Sequence, residues 1–217
     1  MKQSKNNPIK FLAKLERKII KDLEILNNHF HRFTNHIHPI KDRLVIKIKL
    51  YEDLNESQRK SVNYTFRKVY QITLEKHHEE WEKPHYLALG YLNNKLIAIR
   101  YIVLAEALFD GTPVKLAGTG GLLTLPSYRR LGIAEEIFRR VDDYIFDNLN
   151  IDCGLFICGK SLVKYYERLG WTKLTCYKLF YQNNDNKISR LKKYAVMIKS
   201  KSRIYNPELI EINGKLW

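Results

Sequence analysis

Between Gly118 and Glu135 the chain reads GTGGLLTLPSYRRLGIAE, and this is the stretch whose residue types and spacing point to chemistry. Gly118, Gly120 and Gly121 fall inside a segment that otherwise reads as a strand. Glycine weakens a strand, so such a cluster marks a bulge or a place where another backbone approaches closely. An apolar strand end follows, then Pro126, the pair Arg129–Arg130, and Gly132 at the mouth of an amphipathic helix. Free N–H groups and the dipole make a helix start an anion site, and the arginines add charge beside it. The segment therefore reads as a phosphate cradle between a strand and a helix. It is neither GxxxxGK[ST] nor GxGxxG, which excludes the P-loop and the dinucleotide fingerprint.

The elements around it read as a mixed sheet flanked by helices. Leu44–Leu50 alternates as a strand, and Asn55 with Gln58 forms a capping box opening a helix with Val62, Phe66 and Val69 inward. Tyr86–Tyr91 and Leu96–Leu108 read as a hairpin, and Val114–Leu125 joins it through the Asp110-Gly111 turn. In the next helix Ile133, Ile137, Phe138, Val141, Tyr144, Ile145 and Leu149 form the apolar face. Glu135, Glu136, Arg139, Arg140, Asp142 and Asp143 form the opposite, solvated one. Cys153–Cys158 reads as a buried strand, Ser161–Leu169 as a helix stopped by Gly170, and Trp171–Tyr181 and Lys193–Ile198 as closing strands. Ahead of all this, residues 1–43 form an extension in which Leu12, Leu15, Ile19, Leu23, Leu26 and Phe30 recur at helical spacing. Residues 44–217 form the main domain.

The order strand, proline, Arg129-Arg130-Leu131-Gly132-Ile133-Ala134, helix resembles the acyl-CoA signature of the GNAT N-acetyltransferases, Arg/Gln-x-x-Gly-x-Gly/Ala. Downstream, Tyr165-Tyr166-Glu167-Arg168-Leu169-Gly170-Trp171 resembles that family's aromatic-Tyr-Glu-x-x-Gly-aromatic segment. The resemblance covers roughly residues 44–182. It implies the α/β GNAT fold with an added N-terminal helix, acetyl-CoA as co-substrate, no metal, and direct transfer to a primary amine of an acceptor, small or macromolecular. The backbone of Leu123, Thr124 and Leu125 would pair with the pantetheine arm, and Arg129, Arg130, Leu131, Gly132, Ile133 and Ala134 would hold the pyrophosphate. Tyr166 would be the general acid. Glu82 is the nominal base, beside Glu79, Glu80, Glu106 and the Trp217 carboxylate as alternatives, with a bound water as a further proton acceptor. Within the superfamily the likeness is to aminoglycoside 2′-N-acetyltransferases and nodulation acyltransferases. Gly214-Lys215-Leu216-Trp217 is similar to the former group's last residues, which lie near substrate, so Trp217 is a candidate substrate contact. Those enzymes carry a Glu where Gly120 stands here, so the resemblance does not extend to their substrate.

Composition bounds the alternatives. The 217 residues carry 38 Lys and Arg against 23 Asp and Glu, a net charge of +15, which attracts polyanions. The rival reading is thus a non-catalytic basic module of the same fold acting on nucleic acid or an anionic surface, with Lys187–Arg203 as its basic segment. Cys153, Cys158 and Cys176 make no even disulfide framework, which points to a reducing compartment, the cytoplasm. No apolar run approaches a membrane span. The histidines, His29, His31, His36, His38, His77, His78 and His85, lack accompanying ligands at zinc spacing. A homodimer with a sheet continued across the pair suits such a fold.

Overall fold

The computed structural model describes residues 43–175, 177–181 and 194–217. The expected N-terminal helix, Cys176, the four histidines before residue 39 and the basic residues Lys187 to Lys193 lie outside the described residues.

A central sheet runs in the order β1-β2-β3-β4-β5-β8-β6. Its first half is an antiparallel meander: β1 (Leu44–Leu50), β2 (Tyr86–Leu92), β3 (Lys95–Phe109) and β4 (Thr112–Thr124). Both meander turns have the left-handed backbone of tight hairpins, at Asn93-Asn94 (φ 50° and 60°) and Asp110-Gly111 (φ 50° and 77°). β5 (Cys153–Gly159) lies parallel to β4, as its arrival through a helix requires. β8 (Tyr194–Ser200) and the short β6 (Thr172–Lys173) complete the far side. The expected single strand Trp171–Tyr181 is instead two pieces, β6 and β7 (Lys178–Tyr181). β7 pairs with β9 (Leu209–Ile212), which in turn docks on the distal end of β3. The mixed, helix-flanked sheet expected from the sequence is what forms.

Helix α1 (Glu56–Tyr70) starts at the Asn55/Gln58 capping box, both reciprocal hydrogen bonds being present. α2 (Leu74–His78) is capped by Thr73. These two face the Tyr101 side of β3, while α3 (Ile133–Asp143) covers the Arg100 side, since adjacent strand residues point to opposite faces. α3 ends in a π-type turn, Tyr144–Asn148, closed by Leu149 N–H on the Tyr144 carbonyl at 3.1 Å. Ile133, Ile137, Val141 and Ile145 bury the α3 stripe against Ala88, Ala98, Ile102 and Ala117 of the sheet. α4 (Val163–Glu167), preceded by a 3₁₀ turn at Lys160–Leu162, ends before Gly170, whose φ of 81° suits only glycine comfortably.

Asp142 corrects the sequence reading. Instead of facing solvent on α3, it is only 5% exposed. Its carboxylate accepts from Lys199 Nζ and Trp171 Nε1, each at 2.9 Å, and lies 3.7 Å from the guanidinium of Arg100. Arg100 is buried in mid-β3, donates to Thr119 Oγ1 at 2.6 Å, and stacks 3.3 Å above the Phe138 ring. Burial lowers its pKa to about 10, opposed by Asp142, so it stays charged at neutral pH. Burial raises the pKa of Asp142 and outweighs its cations. Lys199, part of the basic segment Lys187–Arg203, is thus a structural cation tying β8 to α3.

Candidate active site

β4 and β5 pair only at Leu116/Cys153, Ala117/Gly154 and Gly118/Leu155. Beyond that vertex the strands continue to Thr124 and Gly159 without pairing to each other, which leaves an opening in the sheet. The glycine cluster explains the splay. Ile99 pairs with Leu123 and Tyr101 with Gly120, so Arg100 faces the two residues between, a bulge centred on Gly121 with φ 56°. What approaches the glycines is not backbone but two rings. A Cβ on Gly120 would come within 2.6 Å of Tyr101, one on Gly121 would also strike that ring, and one on Gly118 would fall inside the Trp217 indole.

The bulge also determines which backbone groups face the opening. Leu125 N–H donates to Ile97 of β3 at 2.8 Å, and strand alternation turns Leu123 the same way. Leu122 and Thr124 therefore present their N–H and C=O groups outward. Their carbonyls confirm it by their partners: Leu122 O accepts from the Tyr70 hydroxyl at 3.1 Å, and Thr124 O from Arg129 Nε at 3.2 Å. Of Leu123, Thr124 and Leu125, Thr124 is the one whose main chain is directed away from β3. Its Oγ1 is buried and lacks a hydrogen-bond partner among the described residues.

The opening leads to the start of α3. Arg130 (φ 66°) and Gly132 (φ 72°) both take the left-handed conformation, which wraps Arg129–Gly132 around the helix mouth. Gly132 is the N-cap and offers no side chain to the first amides, so those of Ile133, Ala134 and Glu135 keep their donors for an anion. Ile133 turns its side chain into the core, while Leu131 and Ala134 are half-buried.

Tyr166 stands at the same opening. Its ring packs on Phe156 at 4.6 Å and Phe138 at 5.2 Å. Burial raises its pKa, and it lies within electrostatic reach of Cys158, Arg100 and Tyr70, the residue that holds Leu122. It therefore keeps its proton at neutral pH. Glu82 is held by main-chain groups. Its Oε1 accepts from Lys83 N–H at 3.2 Å and its Oε2 from Lys215 N–H at 3.4 Å, and its own N–H donates to Leu216 O at 2.8 Å. Glu82 thereby anchors the segment that carries Trp217, whose Nε1 donates to Leu155 O at 3.2 Å. Glu79 pairs with Lys76, and Glu106 is exposed on the distal half of β3. Cys153 and Cys158 are buried.

Tyr70, Tyr101 and Arg100 escaped the sequence reading. Arg100 carried a signal, a lone cation inside the apolar run LIAIRYIVL that must be paired once buried. The tyrosines carried none, because their partners depend on strand register.

His77 supplies a measurable consequence of this packing. It stacks on Trp81 at 5.6 Å and meets Phe66 and Tyr101 edge-on at 5.4 and 5.9 Å. Burial, with a smaller contribution from His78, lowers its pKa to about 3. The unfolded chain takes up that proton near pH 6.5, so its contribution is intact above that pH and is lost as pH falls toward 3. Stability should drop by up to about 1.4 kcal/mol per pH unit in that window. Urea midpoints at pH 7, 5 and 4 should show a steeper decline for the wild type than for His77→Phe. Parallel declines would contradict the buried neutral imidazole.

With this geometry in place, comparison with known proteins decides the family. An acetyltransferase (GNAT) domain model matches residues 50–174, more than half of the chain. The chain belongs to the GNAT acetyltransferase family. Among solved structures it is similar to Escherichia coli ElaA, with 11% identity and a TM-score of 0.52 over 72% of this chain and 99% of that one. It is also similar to a GCN5-related N-acetyltransferase from Anabaena variabilis, with 14% identity and a TM-score of 0.50 over 60% of this chain and 32% of that one. At such identities these matches establish the shared fold. No curated protein sequence matches the chain significantly. As a GNAT protein it is an acyl-CoA N-acyltransferase in general class. Among the described residues, no helix is long and apolar enough to cross a membrane.

Proposed function

We propose that this GNAT protein transfers an acetyl group from acetyl-CoA to a primary amine by direct attack, with no covalent enzyme intermediate. The observation that carries the reading is the opening beyond Gly118/Leu155, whose outward β4 groups lead directly to the uncapped start of α3. Thr124 and Leu122 offer the donors and acceptors of a sheet edge, and a pantetheine arm carries amide groups that pair with such an edge. The amides of Ile133 and Ala134, with Arg129 and Arg130, hold the pyrophosphate charge. Arg129 and Tyr70 occupy the two outward carbonyls and release them when the edge is paired.

The chemistry asked of the protein is modest. Holding amine and thioester together converts a bimolecular step into a unimolecular one, worth up to about 7–11 kcal/mol when the geometry is ideal. Tyr166, kept protonated by burial, gives its proton to the departing thiolate. The amine proton leaves through water. We assign Glu82 to positioning the Trp217 segment.

The test is amine-dependent thiol release from acetyl-CoA across a panel of polyamines, amino sugars, and peptide and protein amines. Release with at least one acceptor class is the expected result. A protein that binds acetyl-CoA yet releases thiol with none of these, under conditions where another N-acetyltransferase does, would overturn the reading.

A further inference from the structure

The proposed placement of the donor, on which this inference rests, also fixes its direction. With the pyrophosphate at Gly132 and the arm passing Thr124 and then Leu122, the acyl end points down β4 toward the vertex at Gly118/Leu155. That vertex is closed by a ring. The Trp217 indole is only 6% exposed, fills the space that a Cβ on Gly118 would take, and is tethered by its hydrogen bond to Leu155 O. Tyr101, itself 2% exposed, lies over Gly120 and Gly121, between Leu122 and that vertex on the same face. Two aromatic rings seated on three glycines thus wall off the blind end of the opening.

The wall is held from behind. Leu216 O and Lys215 N–H are both engaged by Glu82, and β9 secures the preceding segment against β3 and β7. The indole is therefore packed and tethered on both sides, without room to swing away for a longer chain. We propose that Trp217 sets the acyl length of the donor, admitting acetyl and excluding longer chains at the β4/β5 vertex. Glycine at 118 is then required so that the ring can lie flat across the vertex.

Titration calorimetry with acetyl-CoA and hexanoyl-CoA tests this without knowledge of the acceptor. A methylene that finds no room is worth tenfold or more in discrimination, so the wild type should bind hexanoyl-CoA at least about tenfold more weakly than acetyl-CoA. Trp217→Ala should remove that difference while still binding acetyl-CoA. Trp217→Phe, which keeps a smaller ring and loses the tether to Leu155, should fall between them. Equal affinity of the wild type for both donors would overturn the proposal whatever the variants do. An undiminished preference for acetyl-CoA in a cooperatively folded Trp217→Ala would overturn it too. In both of those results the donor still binds and the proposed function stands. Absence of binding by either donor to the wild type would remove that function and this proposal together.

Discussion

Tyr166→Phe is expected to lower kcat by about 10²–10⁴-fold, the usual contribution of a positioned general acid, with acetyl-CoA binding intact. The substitution removes one oxygen and keeps the ring that Phe138, Phe156 and Tyr165 pack against, so the fold should persist. The loss falls on kcat because the proton is needed only as the carbon–sulfur bond breaks. A second readout is the pH profile. Burial raises the pKa of Tyr166 above that of an ordinary phenol, so its ionisation should not depress kcat on approach to pH 10. A Tyr166→Phe enzyme turning over at the wild-type rate would reduce Tyr166 to a packing residue.

The second large effect is on stability. Arg100→Met should destabilise the protein by about 3–5 kcal/mol, because it leaves the Asp142 carboxylate without one of its cations in a buried site. Asp142 retains Lys199 and Trp171 Nε1, which places the expected value toward the lower end of that range. The guanidinium also satisfies Thr119 Oγ1 and covers the Phe138 ring, contacts that methionine replaces only in volume. Adding Asp142→Asn should recover part of the loss, making the pair less than additive. Urea denaturation of the two single variants and the double measures this. Strict additivity, or a loss below about 1 kcal/mol, would show that the cluster contributes little.

Much of the fold was legible because its signals are local. The Asn55/Gln58 box, the Asn93-Asn94 and Asp110-Gly111 turns and Gly170 each state their conformation within a few residues. The glycine cluster announced a bulge in the right strand, and Gly132 announced the start of α3. What the glycines accommodate was not legible. Tyr101 and Trp217 lie far apart in sequence, and only the register of β3 on β4 and the course of the segment after β9 bring them together. Asp142 was misread because helical periodicity gives an angle around α3 and not what β3 and β8 present to it. α2 and β9 are too short to establish a period, at five and four residues.

The central claim is that the opening and the α3 start bind acyl-CoA, and thermal unfolding with saturating acetyl-CoA tests it most directly. At about a hundred times its dissociation constant a ligand adds about 2.7 kcal/mol, which for a chain of this size raises the midpoint by about 5–10 °C. Gly132→Asp places a carboxylate at the helix mouth, where it opposes the pyrophosphate, and should abolish that rise. A wild-type midpoint raised by this amount, with no rise in Gly132→Asp, is the predicted result. A wild-type protein that melts cooperatively at the same temperature with and without acetyl-CoA would contradict the account.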